Sequence, residues 1–305
     1  MSPIVIFVYN RPDETRRLLH SLLLCPEAEG SELFVFSDGA KREADKPRVE
    51  QVRQLFASLQ GFQRVTLKAQ EHNIGLSRSI IGGVSEVLQR YGQCIVLEDD
   101  LIVAPDFLTF MNSALDLYRD RHDIFSLSGY TPNIPIPDNY QEDVFLVPRP
   151  QTWGWATWSD RWATVDWSAS EASMLRQRRH RKSFDKGGND LSRTMAIWQK
   201  GHLDVWGIRW VFACWRQGKW TLNPVGSKVS NDGLFEKATH AGWHDDRHRV
   251  SLCLRPLKLS AQVQPNEAIC AAFKRHHDLG LVSKIGYFLR EHNLGYKQIK
   301  RLLHR

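Results

Sequence analysis

Short apolar runs alternate with longer amphipathic segments along the first third of the chain. Four of these runs predict strands buried on both faces, because they are nearly continuous and bounded by turn residues: PIVIFVYN, ELFVFSDG, RVTLKAQ and CIVLEDD. Helical segments begin at Pro12, span Pro47 to Ser58 and run from Gly75 to Gly92. This alternation predicts a parallel sheet in an α/β fold, with ligands bound beyond the carboxyl ends of its strands.

Polar side chains cluster at three of these predicted strand ends. They are Tyr9 to Arg11, Ser37 to Gly39, and the acidic triplet Glu98, Asp99 and Asp100. Adjacent carboxylates repel, and each raises the pKa of its neighbour unless a cation is present. A single Asp at a strand end is often only a turn or cap residue. Three acids beside two other polar ends instead indicate a site for Mg²⁺ or Mn²⁺, which bridges a few carboxylates to substrate phosphates.

The second half of the chain has a different character. After a predicted helix from Asp106 to Asp120, the segment from Pro148 to Trp162 is too rich in Trp and Gly for an ordinary helix, and a charged helical segment follows near Arg176 to Lys186. All 11 tryptophans lie from Trp153 onward. Core packing is the usual role of a Trp, but aromatic faces also bury the C–H surfaces of sugars. The two halves of the chain are therefore expected to do different work.

Composition narrows the class of protein. The 305 residues, of which 42% are hydrophobic, suffice for one large domain or two small ones. Five cysteines without close pairing suggest neither a disulfide framework nor a structural zinc site, and favour a reducing, cytoplasmic compartment. The start of the chain lacks the pattern of a signal peptide, and no run of about 18 apolar residues follows. We expect neither secretion nor a membrane span.

The net charge of +7 is concentrated near the end of the chain, since Lys274 to Arg305 holds eight Lys and Arg against two acids. A basic balance confined to a tail, without a known nucleic-acid-binding pattern, argues against nucleic acid as a partner. The first strand lacks the glycine fingerprint of a dinucleotide-binding dehydrogenase. In the tail, apolar residues recur at helical spacing between basic ones. The tail is expected either to pack on the body or to attach the protein to an anionic membrane, at the inner face of the plasma membrane.

The sequence EDDLIVAPDFL resembles the metal-binding segment of the N-acetylglucosaminyltransferase I family. The chain from Ser2 to His240 resembles bacterial family 2-like, nucleotide-sugar glycosyltransferases of the GT-A fold. The resemblance implies a Rossmann-like nucleotide-binding sheet flanked by helices. It divides the chain into a nucleotide-sugar-binding half at 1–110, an acceptor-binding and catalytic half at 111–260, and a basic helical tail at 261–305.

The same resemblance implies an activity. A hexosyl or N-acetylhexosaminyl group would pass with inversion from a nucleotide-diphosphate donor, first of all a UDP-sugar, to a glycan or lipid-linked acceptor. The expected setting is surface polysaccharide or lipopolysaccharide synthesis. Such a transfer needs one base for the acceptor hydroxyl and a Lewis acid for the leaving diphosphate. The alternative is a catalytically inactive GT-A-like protein that binds glycans or nucleotides.

Site residues follow from the resemblance by position. Asp100 and His240 would hold Mn²⁺ or Mg²⁺, and Asp204 would act as the base, with Asp160, Asp232 and Glu236 as open alternatives. The acceptor side would comprise Trp153, Gly154 and Trp155. The nucleotide-sugar side is the larger group: Tyr9, Asn10, Arg11, Asp38, Arg78, Glu98 and Asp99.

Overall fold

The computed structural model describes residues 1–231 and 246–293, which are built around a twisted eight-stranded sheet. Its strand order is β3-β2-β1-β4-β8-β6-β9-β7, and β5 and β10 form a separate two-stranded ribbon. The strands are β1 Ile4–Val8, β2 Glu32–Ser37, β3 Arg64–Ala69, β4 Gln93–Glu98, β5 Leu101–Val103, β6 Ile124–Ser128, β7 Val144–Val147, β8 Trp155–Trp158, β9 Trp220–Pro224 and β10 Val229–Asn231.

Helices cover both faces of this sheet. They are α1 Pro12–Leu23, α2 Lys46–Ala57, α3 Leu76–Tyr91, α4 Phe107–Leu117, α5 Ser159–Trp162, α6 Arg178–Phe184, α7 Leu191–Gln199, α8 Gly207–Arg216, α9 Glu267–His277 and α10 Leu281–Glu291. The predicted α/β class is confirmed, and a large central sheet flanked by helices is the arrangement expected of a GT-A fold.

The four strands predicted from the first third of the chain lie where the apolar runs placed them. β1 is buried along its whole length and pairs in parallel with β2 and β4, and β2 pairs in parallel with β3. Side chains alternate across β1, so that Ile4 and Ile6 join the core under α1 and α4, whereas Val5 and Phe7 join the core under α3. Burial on both faces explains why this strand reads as a continuous apolar run.

The Trp-rich segment supplies the middle of the sheet. β8 runs antiparallel to both β4 and β6, with Val96 opposite Trp155 and Gln93 opposite Trp158. Its register places the residues before β8 at the carboxyl end of β4, and the residues after β8 at the amino end. Four of the ten described tryptophans form one aromatic cluster in the core under the second face of the sheet: Trp155, Trp162, Trp206 and Trp210.

The described C-terminal elements consist of two helices. Asn266 begins α9 by accepting a hydrogen bond from the backbone N–H of Ile269 at 3.1 Å. Ile269 and Phe273 of α9 pack against Phe145 and Val147, so α9 covers the edge strand β7. No described helix is long and apolar enough to cross a membrane. The remainder of the predicted amphipathic tail, 294–305, lies outside the described residues.

A buried ammonium group joins the two halves of the chain. Lys228 is fully buried, and its Nζ donates to both carboxylate oxygens of Asp106, at 2.8 and 2.6 Å. The same ammonium donates to the carbonyl oxygens of Cys253 and Arg255 at 2.8 and 2.7 Å. Asp106 precedes α4, whereas Lys228 precedes β10. A charge at this depth is tolerated only because its donors are fully satisfied.

We expect Asp106→Asn to lower the free energy of unfolding by about 3–5 kcal/mol, because a buried ammonium would lose its counter-charge. Urea unfolding followed by circular dichroism measures this. The control is Asp116→Asn, which breaks an exposed ion pair with Arg119 and should cost less than about 1 kcal/mol. Equal costs for the two variants would contradict the role given to the buried pair.

Candidate active site

The carboxyl ends of β1 and β4 meet through charged contacts. The backbone N–H of Tyr9 donates to Asp99 Oδ2 at 3.1 Å. Arg11 Nη1 lies 2.8 Å from Asp100 Oδ2 and 3.6 Å from Asp99 Oδ1. The polar residues predicted at these two strand ends are therefore direct neighbours, at the edge where parallel sheets bind ligands.

Burial and mutual repulsion disfavour the ionised forms of Glu98 and Asp99 in the acidic triplet. Burial, followed by repulsion from Asp100 and Asp99, raises the pKa of Glu98, and burial with repulsion from Asp100 raises the pKa of Asp99. Arg11 opposes both shifts by attraction. The sequence predicted that a cation would balance these acids, but gave no sign that an arginine of the chain supplies part of the charge.

The residues present fit a metal ion that is shared with a substrate. Among the described residues, no group of three or more His, Cys, Asp or Glu side chains is arranged to hold a metal ion by itself. Asp100 is part-exposed and pairs with Arg11 through Oδ2. Its Oδ1 has no hydrogen bond to any described residue. One free carboxylate oxygen suits Mg²⁺ or Mn²⁺, which often take few protein ligands and complete their coordination with phosphates and water.

Asp38 is buried and fixes the loop that enters α3. Its Oδ1 accepts the backbone N–H groups of Gly39 and Ile74, each at 2.8 Å. Its Oδ2 accepts Asn73 Nδ2 at 2.9 Å and the N–H of Gly75 at 3.0 Å. A carboxylate offers about four acceptor positions, so these four donors occupy them all. The carboxylate of Asp38 therefore has no open acceptor position for the nucleotide to which the sequence assigned it, and the residue instead holds the loop in place.

Asp45 is a site residue that the sequence did not reveal. Its carboxylate accepts Tyr9 Oη at 3.1 Å, Asn10 Nδ2 at 3.3 Å and two nitrogens of Arg42. The hydrogen bonds from Arg42 chiefly lower the pKa of Asp45, to about 2. An acid directly before Lys46 and the start of α2 reads as an ordinary helix-start residue, so no local signal distinguishes it. It orients both Tyr9 and Asn10, which the sequence assigned to the donor.

Asp204 lies beside the loop that Asp38 holds. Its Oδ2 would be 3.5 Å from a Cβ added at Gly75, and its side chain is exposed. The candidate base is thus near the carboxyl edge of the sheet. Asp160 is not, because it follows β8 at the amino end of β4, where it pairs with the buried Arg161. The alternative base Asp160 is therefore wrong on position, while Asp232 and Glu236 lie outside the described residues.

The predicted acceptor residues separate into three situations. Trp153 is half-buried, with its ring edge-on to Tyr130 at 4.5 Å and to His248 at 5.7 Å. Gly154 has a φ of 58°, and an added Cβ would approach Val229 to 2.6 Å, so only glycine fits. Trp155 is 1% exposed within the aromatic cluster. The expected sugar contact of Trp155 is wrong, because its strand turns the ring into the core.

A hollow of about 570 Å³ lies against Asp204. Its wall includes Trp198, Gln199, Ser168 and Ser170, and the guanidinium of Arg209 lies 5.3 Å from the ring of Trp198. Sequence reasoning missed Trp198, because nothing in its local sequence separates a groove-lining Trp from a core Trp. An aromatic ring can pack on the C–H face of a sugar, and an amide can form hydrogen bonds with its hydroxyls. An exposed carboxylate can deprotonate one of these hydroxyls.

Two assigned residues remain. Arg78 is exposed in the first turn of α3 and forms no ion pair with a described acid. His240 lies outside the described residues. The chain leads toward it from Asn231, which pairs with Leu101, the residue after Asp100.

Residues 4–131 match the sequence model of a family described as Glycosyl transferase family 2. This match confirms the resemblance to nucleotide-sugar glycosyltransferases over residues 4–131 and supports glycosyl transfer over the other classes considered. The narrower resemblance to the N-acetylglucosaminyltransferase I family stays a prediction.

Among solved structures, similar chains include that of TarS from S. aureus, with 16% identity and a TM-score of 0.31 over 48% of this chain and 25% of that one. A structure of TarS 1-349 in complex with UDP shares 17% identity at a TM-score of 0.30, over 46% and 38%. The mannosyltransferase PcManGT from Pyrobaculum calidifontis, in complex with GDP-Man and Mn²⁺, shares 14% at 0.30, over 42% and 35%. The matched part thus spans well under half of each of these structures.

We expect Asp38→Asn to destabilise the fold by about 1–3 kcal/mol, because the new amide nitrogen cannot accept two of the four hydrogen bonds and faces other donors. Urea unfolding measures the loss. Asp13→Asn removes an exposed carboxylate paired with Arg16 and serves as the control. If Asp38→Asn were as stable as the control, the carboxylate would not be what holds the loop.

Proposed function

From the match of residues 4–131 to Glycosyl transferase family 2, we propose that the protein transfers a hexosyl or N-acetylhexosaminyl group from a nucleotide-diphosphate sugar, first of all a UDP-sugar. The acceptor is a hydroxyl of a glycan or lipid-linked saccharide, the transfer inverts the anomeric centre, and the product belongs to surface polysaccharide or lipopolysaccharide. The observation that carries the proposal is the meeting of Arg11, Asp99 and Asp100 at the carboxyl edge of the sheet.

The donor lies across the ends of β1 and β2 and the start of α3. Tyr9 and Asn10, oriented by Asp45, border the nucleotide, and Asp38 acts by fixing the loop from Asn73 to Gly75. The exposed guanidinium of Arg78 in the first turn of α3 adds to the positive end of the helix dipole, where anionic phosphates are stabilised.

Asp100 holds the metal ion, with His240 as a further ligand. A bound Mn²⁺ or Mg²⁺ would supply the positive charge that stabilises the departing diphosphate. Arg11 keeps Asp99 and Asp100 balanced, and its guanidinium is positioned at the same edge as the phosphates. Glu98 and Asp99 support the site without holding the metal ion, since Asp99 fixes the backbone of Tyr9.

Asp204 takes the proton of the acceptor hydroxyl. It is exposed, it borders the donor loop at Gly75, and it forms one wall of the hollow that contains Trp198. A base must reach the proton that it abstracts, so the acceptor sugar is placed in this hollow, with Trp153 and Gly154 on the other side of the edge. The ring of Trp198 offers the apolar face on which a sugar can rest.

The reaction takes place in the cytoplasm, at the inner face of the plasma membrane. The support is that all five cysteines are free thiols, three of them buried. Free thiols are typical of a reducing compartment. A lipid-linked acceptor would be held at the membrane surface, where the enzyme would meet it.

The first test is a panel of nucleotide sugars with Mn²⁺, scored for nucleotide release. We expect one donor to be consumed, release to stop in excess chelator, and Asp100→Asn to lower turnover by several orders of magnitude while the protein stays folded. Asp116→Asn is the matched control. Binding of a nucleotide sugar without nucleotide release, in every acceptor mixture, would favour the inactive binding protein. Full activity in excess chelator would contradict the proposed metal requirement.

The second test concerns the base. Asp204→Asn should leave donor affinity nearly unchanged but reduce turnover on the order of a hundredfold, because proton removal from the acceptor is lost. Steady-state kinetics with a fixed acceptor separates the two quantities. Asp160→Asn, at the opposite edge of the sheet, should be active. If Asp204→Asn turned over normally and Asp232→Asn or Glu236→Gln lost turnover, the general base would be Asp232 or Glu236 instead.

A further inference from the structure

Helix α10 carries an exposed apolar stripe. Leu281, Val282, Ile285 and Phe288 are between 47% and 77% exposed. Residues separated by one, four and seven positions share one side of a helix, so the four side chains form a continuous surface. Four large apolar side chains on one short helix are more than the scattered single ones that any protein exposes.

The other side of α10 is held against the body. Glu291 pairs with Lys200 at 2.9 Å, and the carbonyl oxygen of Arg290 lies 3.1 Å from His202 Nδ1. These contacts attach α10 to the end of α7. The stripe is thus presented by an anchored helix.

A basic segment at 176–186 includes helix α6, which contacts α7, as α10 does. Six cationic residues within 176–186 are exposed, and none forms an ion pair with an acid of the described chain: Arg176, Arg178, Arg179, Arg181, Lys182 and Lys186. The only acid in the segment, Asp185, is occupied with hydrogen bonds from Ser192. The segment therefore presents nearly uncompensated positive charge.

The basic segment and the apolar stripe are joined by one junction. The backbone N–H of Asn189 donates to Asp278 Oδ1 at 2.9 Å, and Asn189 Oδ1 accepts the N–H of Leu279 at 2.8 Å. The junction directly follows the basic segment and directly precedes α10, and both α6 and α10 contact α7. We call the basic segment 176–186 and the exposed side of α10 together the docking surface.

We propose that the docking surface binds an anionic lipid bilayer. Each basic residue near such a membrane contributes about 1 kcal/mol, and apolar side chains gain by insertion at the interface. A soluble polyanion would use the cations but would leave the stripe in water. The occupant that satisfies both features is a bilayer. This inference adds a partner to the proposed transfer, since it would bring the enzyme to a membrane-borne acceptor.

Vesicle sedimentation of the full-length protein tests the proposal without any sugar substrate. We expect binding to vesicles of phosphatidylcholine with phosphatidylglycerol, little binding to phosphatidylcholine alone, and release at high salt. Ile285→Glu with Phe288→Glu should weaken binding on the order of tenfold or more, as should Arg178→Glu with Arg179→Glu. The controls are Leu254→Glu, at a site 69% exposed, and Arg16→Glu with Arg119→Glu.

Substitutions are preferred to truncation, because ending the chain near Ala272 would remove the buried Phe273. Vesicle binding that needs the cations but not the apolar pair would show that the stripe does not enter the bilayer, and would overturn the docking surface as proposed. Loss of thermal stability in Ile285→Glu with Phe288→Glu would show that the chain itself covers the stripe, and this result would overturn the proposal too. Absence of binding would do the same. Nucleotide release by these variants should match the parent, so the transfer and the docking can fail separately.

Discussion

The arrangement of the candidate site depends on balancing three consecutive carboxylates at the end of β4. Glu98 ends β4, whose four central residues are fully buried, and Asp99 and Asp100 follow it, so that water alone does not screen these acids; Arg11 pairs with Asp99 and Asp100. The acids lie beside Arg11 because β1 and β4 pair in parallel up to Phe7 and Glu98. The pairing with Arg11 leaves one oxygen of Asp100 outside the ion pair, and this is the oxygen that the proposed metal ion would use.

A second carboxylate organises the neighbouring strand end in another way. Asp38 binds only neutral donors, three of them backbone N–H groups, and thereby holds the loop before α3 against β2. Acids at equivalent ends of β2 and β4, on either side of β1, thus do different work: Asp38 after β2 shapes the backbone, and the triplet at the end of β4 stores negative charge. Because Asp204 lies beside the loop that Asp38 shapes, the proposed base depends for its surroundings on the hydrogen bonds of Asp38.

The sequence predicted most of the first half and much less of the second. Continuous apolar runs located β1, β2 and β4, since burial on both faces leaves a strong local signal. The prediction that β3 is buried on both faces is wrong, because β3 lies at the edge of the sheet and is only partly covered. The identity of the buried partners was not local: Asp45 looks like a helix start, and Trp198 looks like any core Trp. Trp155 was misjudged because β8 lies in the middle of a sheet that is covered on both faces, so that Trp155 and Trp158 are buried on opposite sides of it.

The buried ammonium of Lys228 also bears on the order in which the protein folds. Its partner Asp106 is 122 residues earlier in the chain, and the carbonyl groups that complete its hydrogen bonds come later still. During synthesis Asp106 therefore cannot form this ion pair until Lys228 has emerged, and the hydrogen bonds from Lys228 to the carbonyl groups of Cys253 and Arg255 form only after these two residues have emerged. Contacts of such long sequence separation form late and slow the overall reaction. The start of α4 thus lacks this ion pair until Lys228 is in place.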